Sequence, residues 1–242
     1  MKGFNRDLPV ERKLPPQWSL EKVLEELKKE IYSDDSDTNR LLLKALFLIA
    51  LGTGWRVSTL SALLRVPDFC RFDPNLDSVY LLPSPNFVSK RENPANPLKG
   101  MSIPAWKIPD GSHHPLCPVF ALKKFIKASG NLRTEGSPLW IHNLNQLRPT
   151  SVKLSRLICE LVEIADPGKY PQGHDVRKFA TTLAYIESGN TQTVTDLGQW
   201  ASSFCVKYHY FLQVVKSTNC VAMGIQTHDV YGRNHLQVLG DE

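Results

Sequence analysis

His174 and Arg177 are the pair of side chains in this sequence whose types and spacing best suit chemistry. If a helix begins at this point, residues three positions apart project from the same face of its first turn. The N–H groups and the helix dipole at that turn also favour an anion. The pair therefore predicts a phosphate-binding turn, although a His-x-x-Arg pattern alone is equally typical of a solvated helix surface.

A second candidate cation, Arg56, follows the run Gly52-Thr53-Gly54. The stretch before it, from Thr38 or Asn39 through Leu51, is apolar on nearly all sides and predicts a central core helix that ends at glycine. An arginine held against such a helix would be rigid and partly desolvated. The local sequence by itself favours the alternative, a surface arginine that caps a neighbouring carbonyl.

The elements that must position these residues are mostly helical. Short β-like runs occur only at 79–82 and 101–103, and a polar, proline-marked connection between them carries Lys90, Arg91 and Lys99. Capping residues and apolar spacing predict the helices. They are expected at about 19–31, 38–51, 55–64, 119–129, 150–165, 174–188 and 193–199, with a last helix that holds Tyr208 and Tyr210.

Composition narrows the class of protein. The chain has 242 residues, of which 42% are hydrophobic and 22% charged, and no apolar run reaches the ~18 residues that span a bilayer. Its basic, polar start predicts no secretory signal, and its five scattered cysteines predict reduced thiols inside a cell. The net charge of +5 is compatible with a polyanionic partner without requiring one.

Five short sequence motifs follow one another along the chain in an order that is informative as a set. They are Leu-Gly-Thr-Gly-x-Arg-x-Ser from Leu51, a hairpin lysine, His-x-x-Arg, Leu-Gly-x-Trp from Leu197, and a tyrosine soon afterwards. Over roughly residues 14–213 this order resembles the catalytic domain of the tyrosine recombinases, the phage-integrase family. The runs Pro16-Gln17-Trp18-Ser19-Leu20 and His209-Tyr210 are most similar to recombinases of DIRS-like eukaryotic mobile elements, which are transposons.

The resemblance implies a fold and a domain layout. The fold is mainly α with a small antiparallel β-sheet, the tyrosine recombinase catalytic-domain (DNA breaking-rejoining enzyme) fold. We expect an N-terminal strap at 1–18, the catalytic domain at 19–217 and a C-terminal tail at 218–242. The segment before Leu41 is too short for the N-terminal helical domain with which family members usually close around DNA.

The resemblance also implies a DNA strand transferase. In this family a tyrosine hydroxyl attacks a DNA phosphodiester, which forms a 3′-phosphotyrosyl link and frees a 5′-hydroxyl. Charge gathers on the non-bridging oxygens in the transition state, where planar guanidinium donors are suitable. Arg56 and Arg177 match those donors, and no metal is required, because the cationic side chains do the charge work that Mg²⁺ does elsewhere.

The remaining roles follow the family pattern. His174 would bind the phosphate and help handle the nucleophile's proton, and Trp200 would stand where many members have a second histidine. Lys90 would protonate the leaving 5′-oxygen, with Lys99 as the alternative. Tyr210 is the predicted nucleophile, because the His209-Tyr210 pair matches the mobile-element pattern, and Tyr208 is its runner-up. Each helical step turns the side-chain direction by about 100°, so the two tyrosines point to different faces and only one can reach the phosphate.

The implied partner is double-stranded DNA, bound by a homo-oligomer, a tetramer, with no membrane and no small-molecule cofactor. The expected location is intracellular: the nucleus for a eukaryotic mobile element, otherwise the cytoplasm. Thr59 stands where the family commonly has Glu or Asp, so the usual support for the first arginine is absent. A second function stays open, an inactive DNA-binding or interaction module derived from a recombinase. A type IB topoisomerase uses similar chemistry, but the compact spacing between His-x-x-Arg and Leu-Gly-x-Trp favours the integrase branch.

Overall fold

A computed structural model describes residues 16–88, 99–132, 136–141 and 149–197 of the chain. Within these ranges the protein has seven α-helices, two 3₁₀ turns and one three-stranded antiparallel sheet, which confirms the predicted mainly α fold with a small sheet. The helices are α1 (Leu20–Lys28), α2 (Thr38–Thr53), α3 (Val57–Ser61), α4 (Pro118–Ala128), α5 (Ser151–Ala165), α6 (Asp175–Ser188) and α7 (Thr191–Leu197). The strands are β1 (Cys70–Phe72), β2 (Ser78–Leu81) and β3 (Met101–Pro104).

Helix α2 forms the centre of the core. Its residues from Leu41 through Ala50 are all buried, so the helix has almost no solvent face. It packs against α4, α5 and α6, and it also touches β3. A helix that is apolar all round can be stable in water only when neighbours cover every side. The sequence prediction of a central core helix is therefore confirmed.

The sheet lies beside the helices and joins three strands in the order β1-β2-β3. Both pairs are antiparallel, with Val79 opposite Phe72 on one side and Ile103 on the other. Val79, Leu81 and Ile103 point into the core, as the two-residue period of a strand requires. The sequence analysis predicted β2 and β3 and missed β1, which has only three residues and one buried apolar side chain, Cys70.

Several helix boundaries differ from the predictions. Helix α1 begins directly after its N-cap residue Ser19, close to the predicted start, but ends at Lys28 instead of about 31, because a 3₁₀ turn, Glu30–Tyr32, follows it. Helix α3 is five residues long instead of ten, since Leu63 and Leu64 form β-bridges with Pro83 and Pro138. Helix α7 starts at Thr191. The predicted last helix with Tyr208 and Tyr210 lies outside the described residues. No helix in the described ranges is long and apolar enough to cross a membrane.

Candidate active site

A sharp turn at the end of α2 places Arg56 directly before α3. Gly54 caps α2 in the left-handed conformation, with φ +60, and its N–H bonds the carbonyl of Ala50 at 3.0 Å. A side chain at this position would be strained, and its Cβ would lie 3.5 Å from the Cβ of Ala180 on α6. Glycine therefore lets the backbone turn where α6 packs against it.

The residues on either side of Gly54 are held by hydrogen bonds of their own. The Thr53 hydroxyl donates to the carbonyl of Ile49 at 2.8 Å and accepts from the N–H of Trp55 at 3.2 Å. The Trp55 side chain is buried in the core. The backbone that leads to Arg56 is thus fixed on both sides of the turn.

Arg177 reaches across from α6 to this turn. Its side chain is only 4% exposed, and Nη1 donates a hydrogen bond to the carbonyl oxygen of Gly54. The Arg177 carbonyl in turn accepts from the Thr181 hydroxyl at 2.6 Å. The sequence analysis considered Arg56 as the arginine that caps a carbonyl; in the structure that role belongs to Arg177. The bond brings the His-x-x-Arg motif and the Gly-x-Arg motif together.

Arg56 itself is half-buried and precedes the first residue of α3. Its guanidinium has no hydrogen bond or ion pair with any residue in the described ranges. Its carbonyl accepts from the N–H of Leu60, which anchors the backbone in α3. The side chain therefore combines a fixed backbone with a cationic group that the described protein does not neutralise.

His174 is the N-cap residue of α6 and is exposed. Its carbonyl accepts a hydrogen bond from the N–H of Arg177 at 3.2 Å, so the two residues occupy one turn. The predicted helix start at His174 agrees with the structure to within one residue.

Close packing on α5 fixes the backbone that enters this turn. Gly173 lies so near Ser155 that an added Cβ would be 2.8 Å from the Ser155 Cα. One turn further along α5, the Cys159 thiol donates to the carbonyl of Pro171 at 3.2 Å. Burial raises the pKa of that thiol, and nearby Asp175 raises it further. The segment before His174 is thus held against α5 at two points.

A buried carboxylate ties the first turn of α6 to the N-terminal segment. Asp175 accepts from Lys178 Nζ at 2.9 Å, from the N–H of Gln172 at 3.0 Å and from the indole of Trp18 at 3.3 Å. Both charged side chains of the Asp175–Lys178 pair are 6% exposed. The Trp18 ring packs at 4.7 Å from that of Phe179 on the same helix. These contacts hold His174 and Arg177 in place.

A second carboxylate fastens α1 to the end of α5. Asp166 accepts from the N–H of Ser19 at 2.9 Å and from Lys22 Nζ at 2.7 Å. The hydrogen bond from Lys22 is the main reason that the pKa of Asp166 is lowered. Since Ser19 follows Trp18, this contact also keeps the Trp18 indole over Asp175.

Helix α3, which Arg56 precedes, rests on a buried tryptophan. Trp140 Nε1 donates to the carbonyl of Leu60 at 2.9 Å, and the ring is 1% exposed. Thr59, the residue that the sequence resemblance places where an acidic side chain is common, is buried on the same helix at 5% exposure. The support for α3 is therefore packing and a neutral hydrogen bond.

The structure describes part of the predicted site. Arg177 lies against the turn that leads to Arg56, and His174 shares the turn of Arg177. Lys99, the alternative lysine, is exposed two residues before β3. The other predicted site residues, Lys90, Trp200, Tyr208 and Tyr210, lie outside the described residues.

The sequence analysis assigned no role to two residues that position the site, Trp18 and Gly173. Trp18 stands in the Pro-Gln-Trp run, and Gly173 immediately precedes the His-x-x-Arg motif. A tryptophan beside a proline pair, and a glycine at a predicted helix start, were signals that could have identified them. Among the described residues no cluster of three or more His, Cys, Asp or Glu side chains is arranged to hold a metal ion.

Comparison with solved structures shows the fold. XerA recombinase superposes with a TM-score of 0.57 at 17% identity, covering 90% of this chain and 66% of XerA. XerH site-specific recombinase bound to difH substrate, in a pre-cleavage complex, gives 0.58 at 15% identity, covering 85% of this chain and 53% of XerH. No protein-family model matches the sequence, and no curated protein matches it. The chain spans about two thirds of one relative and half of the other, and it has the tyrosine recombinase catalytic-domain fold.

Proposed function

We propose that residues 19–217 form the catalytic domain of a tyrosine recombinase that cuts and rejoins double-stranded DNA. The observation that carries this proposal is the hydrogen bond from Arg177 to the carbonyl of Gly54, two residues before Arg56. It brings together two cationic motifs that lie far apart in the sequence. The fold shared with XerA and XerH supports the same chemistry.

The two arginines suit a phosphodiester whose non-bridging oxygens gain charge during the reaction. Arg177 is held rigidly by its bond to Gly54, so little reorganisation would be needed when the phosphate binds. Arg56 brings a half-buried guanidinium that no described residue neutralises. Planar guanidinium groups bind phosphate oxygens through paired hydrogen bonds, which a lysine cannot reproduce.

The proposed reaction exchanges one phosphoester for another. The Tyr210 hydroxyl attacks the phosphorus, the bond to the 5′-oxygen breaks, and a 3′-phosphotyrosyl link forms. His174 helps to remove the tyrosine proton, and Lys90 protonates the leaving oxygen. Trp200 donates a further hydrogen bond to the phosphate. A 5′-hydroxyl from a second strand then reverses the step, so the link conserves the bond energy.

The finer parts of the proposal rest on the sequence resemblance. They are a homotetramer on paired DNA duplexes, since recombination needs several protomers, and an origin in a DIRS-like mobile element. Tyr208 remains the alternative nucleophile and Lys99 the alternative acid.

The test is covalent capture on nicked DNA. The protein is incubated with a library of duplexes of randomised sequence, each with a nick that lets the 5′-hydroxyl fragment leave after cleavage. Trapped protein–DNA adducts survive denaturation and can be sequenced from the attached strand. We expect adducts with the native chain and none with Tyr210→Phe.

Tyr208→Phe is the matched control, because it removes a phenolic hydroxyl of the same kind two positions earlier in the chain. Adducts that persist in Tyr210→Phe and vanish in Tyr208→Phe would move the nucleophile to Tyr208. If neither variant changes the adduct yield, tyrosine chemistry at this site is wrong.

A non-catalytic DNA-binding module is the second candidate, and Thr59 favours it. The residue is buried on the helix that follows Arg56 and supplies no carboxylate to orient the guanidinium. In that case the native chain binds duplex DNA through phosphate contacts, with an affinity that falls steeply with salt, and forms no adduct with any library member.

A further inference from the structure

Two lysine side chains from different helices converge on Ser33, away from the candidate active site. Ser33 ends the 3₁₀ turn before α2. Lys44 of α2 donates from Nζ to the Ser33 hydroxyl at 3.3 Å, and Lys124 of α4 donates to the Ser33 carbonyl at 2.9 Å. Both ammonium groups therefore lie within hydrogen-bonding distance of one residue.

The Lys44 side chain is buried without a counterion. The residue is 3% exposed, and within the part of the chain that the structure describes its ammonium has no ion pair. Among the described residues its hydrogen bond is the long contact, 3.3 Å, to the neutral Ser33 hydroxyl. Burial lowers the pKa of Lys44 to about 8, and the charge of Lys124 contributes. An anion at Ser33 would supply what this cation lacks.

The chain around Ser33 is accessible and acidic. Ser33 is half-buried, and the next three residues, Asp34, Asp35 and Ser36, are exposed. Asp35 lies 3.5 Å from Lys124 and is half-exposed, so this ion pair is open to exchange. A protein kinase that recognises acidic residues after its acceptor serine would find such a sequence here.

We propose that Ser33 is a phosphorylation site whose phosphoryl group is bound by Lys44 and Lys124. The Ser33 oxygen attacks the terminal phosphorus of a nucleoside triphosphate on a protein kinase. The phosphoanhydride bond breaks, the nucleoside diphosphate leaves, and the hydroxyl proton passes through the kinase to solvent. The new group carries nearly two negative charges and three acceptor oxygens, which pair with the two ammonium groups.

The first test measures the bound phosphate directly. Phosphoserine is placed at position 33 during translation of the full chain, and the second pKa of its phosphate is followed by phosphorus NMR. An unperturbed phosphoserine has a second pKa of about 6. We expect a value lower by about one unit at Ser33, and a melting temperature about 4 °C higher than that of the unmodified chain.

Phosphoserine at position 36 is the matched control. Ser36 belongs to the same acidic segment and is exposed, and its described hydrogen bond is from its own N–H to Asp34. Its phosphate should show no lowered pKa and no gain in melting temperature. Lys44→Met should remove most of the gain at Ser33, measured against the same variant without phosphate. Equal pKa values at the two positions, or a lower melting temperature for phosphoserine 33, would overturn the proposal.

The second test asks whether Ser33 is an acceptor. The folded chain is treated with an acid-directed protein kinase and ATP, and the modified residue is located by mass spectrometry. Phosphate at Ser33 supports the proposal, and its absence from Ser33 in fully treated protein contradicts it. Neither test involves the candidate active site, so both are independent of the proposed DNA chemistry.

Discussion

Two buried cations, Arg177 of α6 and Lys44 of α2 itself, lie at opposite ends of the central helix α2, and their hydrogen-bond partners differ. Arg177, at the C-terminal end of α2, donates to the Gly54 carbonyl, a partner fixed by the left-handed cap. Lys44, in the N-terminal half, has a long bond to a hydroxyl and no carboxylate within the described residues. Burial of a charge costs free energy unless hydrogen bonds and counter-charges offset the lost hydration. At the C-terminal end of α2 the buried cation thus has a fixed hydrogen-bond partner. At the N-terminal end the buried cation lacks a counter-charge, which a bound anion would supply.

The largest effect is expected from Arg177→Lys. A lysine keeps the charge, but it cannot bond Gly54 and a phosphate oxygen through one rigid plane. Loss of such a donor typically costs on the order of 100- to 1,000-fold in rate. We expect a loss of this size in the rate of adduct formation on nicked DNA, measured by denaturing gel.

The matched control is Arg156→Lys, at an exposed position of α5. It makes the same arginine-to-lysine substitution on the surface. The rate of adduct formation should stay within about twofold of the native rate, because surface substitutions usually have small effects. Equal rates for the two variants would mean that Arg177 only supports the fold.

Lys44→Met should stabilise the protein. The pKa of Lys44 is about 8 in the folded state, against 10.5 for an ordinary lysine. The unfolded chain therefore binds the proton more tightly, and below pH 8 burial costs at most about 3 kcal/mol in free energy of unfolding. This cost falls as the pH rises from about 8 to 10.5, since the folded state loses the proton first, and it is absent above 10.5, where both states are neutral.

The measurement is urea unfolding of the native chain and the variant at several pH values between 7 and 11. Lys127→Met is the control, because Lys127 is exposed on α4. A gain for Lys44→Met that is the same at every pH would show that titration of the ammonium is not its cause.

Gly173→Ala should destabilise the first turn of α6, near Arg177, and leave the region around Lys44 unchanged. The new Cβ would lie 2.8 Å from the Ser155 Cα, a backbone atom that cannot move aside easily. Overpacking of this kind typically costs about 2 kcal/mol. Hydrogen exchange should quicken in the first turn of α6 and stay unchanged around Lys44.

Gly130→Ala is the control for that change, because a Cβ at Gly130 would meet nothing within 4 Å. It should leave both the stability and the exchange pattern nearly as they are. Equal destabilisation by the two alanines would mean that the contact with Ser155 does not fix the turn.

Trp18→Phe is the mildest change at the Arg177 end. The aromatic packing on Phe179 is kept, but the hydrogen bond from the indole to Asp175 is lost. We expect a loss of about 1 kcal/mol in the free energy of unfolding. Trp106→Phe, at a half-buried residue whose indole N–H bonds nothing in the described ranges, should cost less. If Trp106→Phe cost more than Trp18→Phe, the indole hydrogen bond of Trp18 would not help to hold the first turn of α6.

Much of the fold was predictable because its signals are local. The apolar run in α2 and the caps Ser19 and Thr150 mark helices that depend mainly on their own sequence. Strand β1 was missed because three residues carry too little periodicity to be recognised. It exists through its pairing with β2, which is a tertiary contact.

The candidate site, like the fold, could be predicted only in its local features. The arginines and His174 could be selected from motif order, since each stands beside a recognisable helix end. The long-range contacts that hold them could not be predicted, because Trp18 lies 157 positions from Asp175 in sequence and Gly54 lies 123 positions from Arg177. No local pattern indicates that a tryptophan near the start of the chain touches the helix of the His-x-x-Arg motif.

The Trp18 contact has a mechanical consequence. Only the Asp175 side chain separates the indole from the backbone that begins at His174, and a short, stiff linkage of this kind transmits displacement with little loss. Tension on the chain at Pro16 would act on the Trp18 indole and so on Asp175, the residue next to His174, as well as on the packing of Trp18 against Phe47 of α2. A single-molecule pulling experiment with a handle at that end would therefore load the first turn of α6 directly.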